Sequence, residues 1–295
     1  MPELPEVQTT TIGMRSTVVG LTITDFWCGW AGILRGTTAL ALKKKMVGSK
    51  FISVERRGKN ILARLSSGDT LVMHMKMTGH FMYGDYIYNK KENSWVPKDK
   101  TGALADPYNR FVHIVFSLSN GKYLVFCDAR KFGKIEIIKT GHERSHSRLG
   151  LLGPEPLEED FTLSILTNRL SRKSNTKIKT VLLDQTVLAG VGNIYADESL
   201  HLSGILPERT VGSLTTVELR KLHSSIKKVL RGGLEHGGDS TSDYRDIYGE
   251  RGTSQNTHKV YRRKNEPCTK KNCTGIIQRT VVAARGTHFC PNCQF

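Results

Sequence analysis

Cys268, Cys273, Cys290 and Cys293 crowd the last 28 residues of a 295-residue chain, in the stretches CTKKNC and CPNC. The spacings are C-x4-C and C-x2-C, with sixteen residues between the pairs. Two short cysteine loops on such a spacer match the requirement of a tetrahedral structural zinc site, because each loop brings two thiolates to one ion. The spacer, TGIIQRTVVAARGTHF, is long enough for a hairpin. Four thiolates leave no open coordination position, so one zinc ion would hold a fold and not catalyse. Two disulfides are the alternative, but the chain opens with neither the basic stretch nor the apolar run of a signal peptide. An intracellular protein is expected. Cys28 and Cys127 stand alone in apolar surroundings and are expected to be buried thiols.

Charge points to a polyanionic partner. Forty-four Lys and Arg against twenty-seven Asp and Glu give a formal net charge of +17. From Arg251 onward, nine basic residues face a single acid, Glu266. Nucleic acid is the first expectation, since neutralising phosphates releases counterions. No apolar run approaches the roughly 20 residues that span a bilayer, which excludes a membrane helix.

The pattern along the chain predicts an α+β protein in several parts. Val7, Thr11, Met14 and Val18 recur at helical spacing before Gly20. Strands then dominate to Ile138. NILARL alternates, Leu71, Met73, Met75 and Met77 fall on one strand face, and HIVFSLSNGKYLVF reads as a hairpin around Asn120-Gly121. Residues 84–110 are polar and irregular, suggesting a surface insertion. Residues 139–156 read as a linker. A helix then begins at a capping box, Thr215 to Glu218, with Leu219, Leu222, Ile226 and Val229 on one face. GGDSTSDYRDIYGERGTSQNTHK has no apolar period and reads as a loop. The expected domains are 1–138, 157–264 and the cysteine-bearing 265–295.

The opening MPELPEV carries two prolines, each followed by glutamate, which suits a helix start. Together with GPEPL at 153–157, LAGVGNIYADESL at 188–200 and the finger ending CPNCQ, in that order, it resembles the formamidopyrimidine-DNA glycosylase family, whose superfamily includes endonuclease VIII. The resemblance covers nearly the full length. It implies an amino-terminal β-sandwich with flanking helices, a helix–two-turn–helix domain and a zinc finger. It also implies a monomer that binds double-stranded DNA containing oxidised bases or abasic sites, excises the base and cuts the strand.

Residue by residue, the resemblance makes Pro2 the nucleophile. With Met1 removed, Pro2 would be a secondary amine; an α-amino group has a pKa of roughly 7.7–8, far below lysine's, so an appreciable fraction of it can be neutral and nucleophilic near neutral pH. Glu3 matches the acid that protonates the opening sugar, and Glu6 a lesion contact or member of the active-site network. Lys59 matches a lysine assisting elimination, although a lysine at a strand start is otherwise a solvated charge. Arg285 matches the finger arginine that contacts phosphate. Lys179 and Asn193 match backbone and lesion contacts. Tyr261 matches a phosphate contact or a packed aromatic. Met77, Arg130 and Phe132 match the residues inserted where the flipped base leaves the stack, with a core methionine as the other reading of Met77. Lys131 stands where arginine is usual, keeping charge without a bidentate grip, and Ala129 stands where proline is usual. Phe111 replaces a DNA-contacting histidine of some members, with His113 two residues on, and C-x4-C replaces the commoner C-x2-C.

The glycine-flanked loop before the finger resembles the lesion-capping loop of the purine branch, and Leu4 stands where endonuclease VIII relatives commonly have glycine. Both features favour oxidised purines, 8-oxoguanine and formamidopyrimidines. Oxidised-pyrimidine excision, or a non-catalytic DNA-binding role for the same scaffold, are the competing expectations.

Overall fold

Helix α1 (Leu4–Val18) begins where the sequence places its prolines and acids. Pro5 lies in the first turn, and Glu6 accepts the backbone N–H of Glu3 at 2.7 Å. This satisfies one donor that a helix start otherwise leaves without a partner. Val7, Met14 and Val18 are buried, and the buried Thr11 donates its hydroxyl to the Val7 carbonyl at 2.7 Å. The computed structural model describes every residue, Met1–Phe295, in two units: Met1–Gly150 with His236–Gln255, and Leu151–Glu235 with Asn256–Phe295.

In the first unit, strand β1 (Ile23–Cys28) and helix α2 (Ala39–Met46) precede nine further strands. These are β2 (Phe51–Arg57), β3 (Asn60–Leu65), β4 (Asp69–His74), β5 (His80–Gly84) and β6 (Tyr86–Asn89), then β7 (Ser94–Pro97), β8 (Val112–Leu118), β9 (Tyr123–Cys127) and β10 (Lys134–Lys139). Two four-stranded antiparallel sheets result, ordered β1-β8-β9-β5 and β10-β4-β3-β2. Phe26, Phe81, Phe116 and Phe126 of one sheet share a single core with Val54, Ile61, Leu71 and Ile135 of the other. Met14 of α1 and Leu42 and Met46 of α2 close that core. The unit is therefore a β-sandwich with flanking helices.

Two local expectations change. Met77 does not continue the methionine face. Strand β4 ends at His74, Lys76 takes φ +60, and the left-handed residue turns Met77 out of the core that holds Met73 and Met75. Nor is the 84–110 stretch irregular throughout. Strands β6 and β7 pair as a hairpin, and Trp95 packs on Tyr88 and Tyr123 with ring centroids 5.5 and 4.9 Å apart. Tyr86, Trp95 and Leu104 thereby cover the outer face of the β8–β9 pair through Val115 and Val125. Strands of four residues are too short for alternation to stand out among lysines.

The second unit contains helices α3 (Leu163–Ser171), α4 (Ile178–Leu183), α5 (Asn193–Ser203) and α6 (Thr216–Glu235), then the hairpin β11 (Gln278–Val282) and β12 (Arg285–Phe289). Helix α5 is buried almost all round, including Asp197 and Glu198, and ends at Gly204 with φ +78. The Thr215–Glu218 capping box forms, with N–H to oxygen distances of 2.8 and 3.3 Å. The buried stripe of α6 runs Leu222, Ile226, Leu230 at four-residue steps, leaving Leu219 and Val229 only half-buried at its edges. No helix is long and apolar enough to cross a membrane.

The loop 236–255, grouped by sequence with the helices, packs with the sandwich unit. Ile247 joins the sandwich core, and buried Tyr244 donates its hydroxyl to the Glu6 carbonyl at 3.0 Å.

Candidate active site and nucleic-acid interface

The start of α1 is a dense polar junction. Pro2 is buried, Glu3 is 2% exposed and Glu6 is 1% exposed. Besides the Glu3 N–H, Glu6 accepts the Asp239 N–H from the loop at 2.7 Å. Gly238, at φ +84, makes this possible, since a Cβ there would stand 2.8 Å from the Glu6 Cγ. Glu6 thus bridges the start of α1 and the loop through two backbone N–H groups. Nearby, Gly58 and Lys59 form the two-residue turn between β2 and β3, with Gly58 at φ +56 as a II′ turn requires. Arg56 joins this turn to α1, donating to Gln8 Oε1 at 2.7 Å and to the Gly58 carbonyl at 3.0 Å. Lys59 is only 6% exposed, so it is not the solvated charge that a strand-edge lysine normally is. Burial first, then the charges of Lys76 and Lys59, push His74 down to about 3. Its neutral Nδ1 accepts the Lys76 N–H at 2.9 Å and so fixes the turn leading to Met77.

A second junction joins two turns. Asp128, fully buried, accepts the Thr78 hydroxyl in a short hydrogen bond, the Arg130 N–H at 3.2 Å and the Gly133 N–H at 2.7 Å. Thr78 accepts the same Arg130 N–H at 3.1 Å, and His113 donates Nε2–H to the Asp128 carbonyl at 2.9 Å. One carboxylate thus locks the turn that follows Met77 to the turn that carries Arg130, Lys131 and Phe132. Phe132 is 47% exposed, and the Arg130 guanidinium lies 4.8 Å from its ring centroid. Lys131, at φ +58, lies over the Trp30 ring at 4.5 Å. Nothing in folding requires a half-exposed phenylalanine on a rigid turn. Asp128 and Thr78 were not singled out in the sequence, where the clue is an acid directly after the apolar run YLVFC.

In the second unit, Lys179 and Asn193 converge on the finger hairpin. Lys179 Nζ and Asn193 Nδ2 donate to the Gly286 carbonyl at 3.2 and 2.9 Å. Lys179 also donates to Thr287 Oγ1 at 2.7 Å and pairs with Asp197 at 2.6 Å. This corrects the expectation of a direct DNA contact. Lys179 is 0% exposed and its ammonium is directed at the hairpin. Asp197 further accepts the His288 N–H at 2.8 Å. Breaking a buried ion pair from one side costs about 3–5 kcal/mol. Lys179→Met is therefore expected to lower unfolding stability by that order in a denaturant titration; a change under about 1 kcal/mol would contradict this placement.

Arg285 is exposed at the start of β12, directly after a two-residue turn in which Ala283 and Ala284 take φ +52 and +55. This I′ geometry normally draws Asn-Gly or Gly-Gly. Ala284→Gly is expected to stabilise the protein by about 1 kcal/mol, read as a raised melting temperature, because it removes a left-handed Cβ penalty. Tyr261 is half-buried, edge-on to His258 and His288 at 5.5 and 5.3 Å. Its N–H, with those of Lys259 and Val260, is collected by the buried Glu198 at 2.8–3.1 Å.

The four finger cysteines are free thiols whose sulfurs all lie within 4.8 Å of one another. Cys268–Cys293 and Cys273–Cys290 Sγ separations are 3.8 and 3.6 Å. Disulfides need about 2.05 Å, whereas a tetrahedron with Zn–S bonds of about 2.3 Å has edges of about 3.8 Å. The residues fit a structural zinc ion.

Comparison with known proteins gives three successive matches. Residues 1–135 match the formamidopyrimidine-DNA glycosylase N-terminal domain, 152–245 its H2TH domain, and 265–294 the zinc finger found in FPG and IleRS. The formamidopyrimidine-DNA glycosylase of Desulfitobacterium hafniense (strain DSM 10664 / DCB-2) is 40% identical over 294 residues, covering 100% of both chains. Lactococcus lactis Fpg in complex with DNA containing an abasic site superposes with a TM-score of 0.85 at 33% identity, covering 99% of both chains. A mutant of the same Lactococcus lactis protein, in complex with Fapy-dG-containing DNA, gives the same values.

Proposed function

Since the chain belongs to the formamidopyrimidine-DNA glycosylase family, a family of DNA glycosylases, we propose that it excises oxidised purines, 8-oxoguanine and formamidopyrimidines, from double-stranded DNA and then cuts the strand. The observation that carries this reading is the pair of turns locked by Asp128, which presents Arg130 and the half-exposed Phe132 beside the turn of Met77. A rigid apolar wedge with a cation suits a duplex from which one base has been removed. Phe132 and Met77 replace lost stacking, and Arg130 hydrogen-bonds the orphaned partner base.

The chemistry falls to the start of α1. After loss of Met1, the Pro2 nitrogen attacks the sugar C1′ as the bond from C1′ to the base breaks, and the departing base takes up the proton that the amine gives up. Glu3 gives a proton to the ring oxygen as the sugar opens, leaving an iminium between Pro2 and C1′. That cation acidifies the C2′ proton. Loss of the proton expels the 3′ phosphate, a second elimination expels the 5′ phosphate, and hydrolysis of the iminium returns the amine. Lys59, buried in the hairpin turn, assists elimination and phosphate contact. Arg285 contacts phosphate from the finger, with Lys179 and Asn193 holding its hairpin, and Lys131 adds charge to the wedge turn. Zinc, when bound by Cys268, Cys273, Cys290 and Cys293, cross-links the finger and takes no part in bond breaking. In this reading 1–138 with the loop 236–255 forms the catalytic domain, a monomer suffices, and the enzyme works inside the cell, where the DNA is.

The test is strand cutting at one stated salt concentration on three duplexes: 8-oxoguanine opposite cytosine, thymine glycol, and undamaged. Cutting of the first in preference to the other two is expected. Preference for thymine glycol would replace this reading with the oxidised-pyrimidine one.

A further inference from the structure

The 84–110 insertion is the one large segment without a part in this mechanism, yet it grips the loop 236–255 at several points. Arg245, 2% exposed, donates through Nε and Nη2 to Asp106 Oδ2 at 3.1 and 2.9 Å. Its Nη1 donates to the carbonyls of Ser242 and Tyr244, both at 2.9 Å, and its guanidinium lies 4.8 Å from the Tyr108 ring centroid. Further along, Gly249 (φ +87) presses on the insertion so closely that a Cβ would stand 2.8 Å from the Ala103 carbonyl. The insertion is itself fixed. Asp106 accepts the Tyr108 N–H at 2.9 Å, and buried Asn109 bonds the Ala103 carbonyl at 3.0 Å and His80 of β5 at 2.8 Å.

We propose that the insertion is a buttress for this loop, and that Asp106, through Arg245, is a positioning residue that holds Ser242–Tyr244 ready for a damaged base. The inference rests on the proposed excision of oxidised purines for its catalytic consequence, though not for its structural one. Arg245 is a long, entropically costly side chain. Tied to Asp106 at one end, it fixes two loop carbonyls, those of Ser242 and Tyr244, at the other, so the loop order is set before DNA arrives. An abasic site presents no base to this loop and should not feel the change.

Two measurements test it. Hydrogen exchange on the free protein reads the structural part: Asp106→Ala should raise exchange of amides 240–249 by about tenfold or more, with the sandwich strands unchanged and Asp106→Glu partly restoring protection. Unchanged protection of 240–249 would overturn the proposal whatever the enzyme's substrate. Single-turnover kinetics read the functional part. Excision of 8-oxoguanine should fall about tenfold to hundredfold in Asp106→Ala, while cleavage of a preformed abasic site stays within about twofold. Equal loss on both substrates, or on neither, would contradict the positioning role. Failure of the unaltered protein to cut 8-oxoguanine would count against the substrate reading alone, leaving the exchange result to stand.

Discussion

Stripping the metal with a chelator, or replacing Cys290 with serine, is expected to unfold residues 265–295 and lower affinity for duplex DNA by about hundredfold or more. The finger has almost no core of its own. Val260, Cys268, Ile277 and Cys290 form its buried cluster, with Cys273 and Cys293 packed against it, so most of that cluster consists of the ligands themselves. A segment this short cannot bury enough apolar surface to offset its chain entropy. Structural zinc supplies apparent binding energies of about 10–16 kcal/mol near pH 7. The loss spreads beyond the finger, because Lys179 and Asn193 both bond the Gly286 carbonyl and Arg285 rides on the same hairpin. Metal analysis should give one zinc per chain, and circular dichroism and DNA titration should change together as it is removed. Full zinc removal with unchanged affinity would contradict the structural role.

Glu3→Gln is expected to reduce base excision by about 10²–10⁴-fold, the usual worth of a positioned general acid. Glutamine keeps the size of the side chain at the helix N-cap position, and the Glu3 N–H that Glu6 accepts is backbone and survives. The melting temperature should therefore move little. A preformed abasic site has already lost its base, so its cleavage through Pro2 should fall far less. Parallel loss on intact lesion and abasic site, or loss matched by unfolding, would remove Glu3 from the role of acid.

Much of the architecture was legible because its signals are local. The Asn120-Gly121 hairpin, the capping box at Thr215 and the spacing of four cysteines each operate over a few residues. What escaped depends on distant contacts. Asp128 locks turns fifty residues apart, and the Arg245–Asp106 tie spans 139 positions. Neither leaves a periodic trace. Met77 was misplaced on a strand face because apolar alternation continues through a turn that one left-handed residue, Lys76, redirects. Lys179 shows the opposite limit. Its position suggested a DNA contact, but a neighbouring buried acid, Asp197, takes its charge inward. The acids in NIYADESLHLS could have warned of this, since a helix apolar on most sides rarely carries Asp-Glu without buried partners.

Borohydride trapping on a duplex with one 8-oxoguanine opposite cytosine, read by intact mass, tests the central claim most directly. The expected result is a covalent enzyme–DNA adduct on protein lacking Met1, with the modification mapped by peptide mass to the Pro2 nitrogen. An adduct on a lysine such as Lys59, or strand cutting with no adduct at all, would contradict an amino-terminal proline nucleophile.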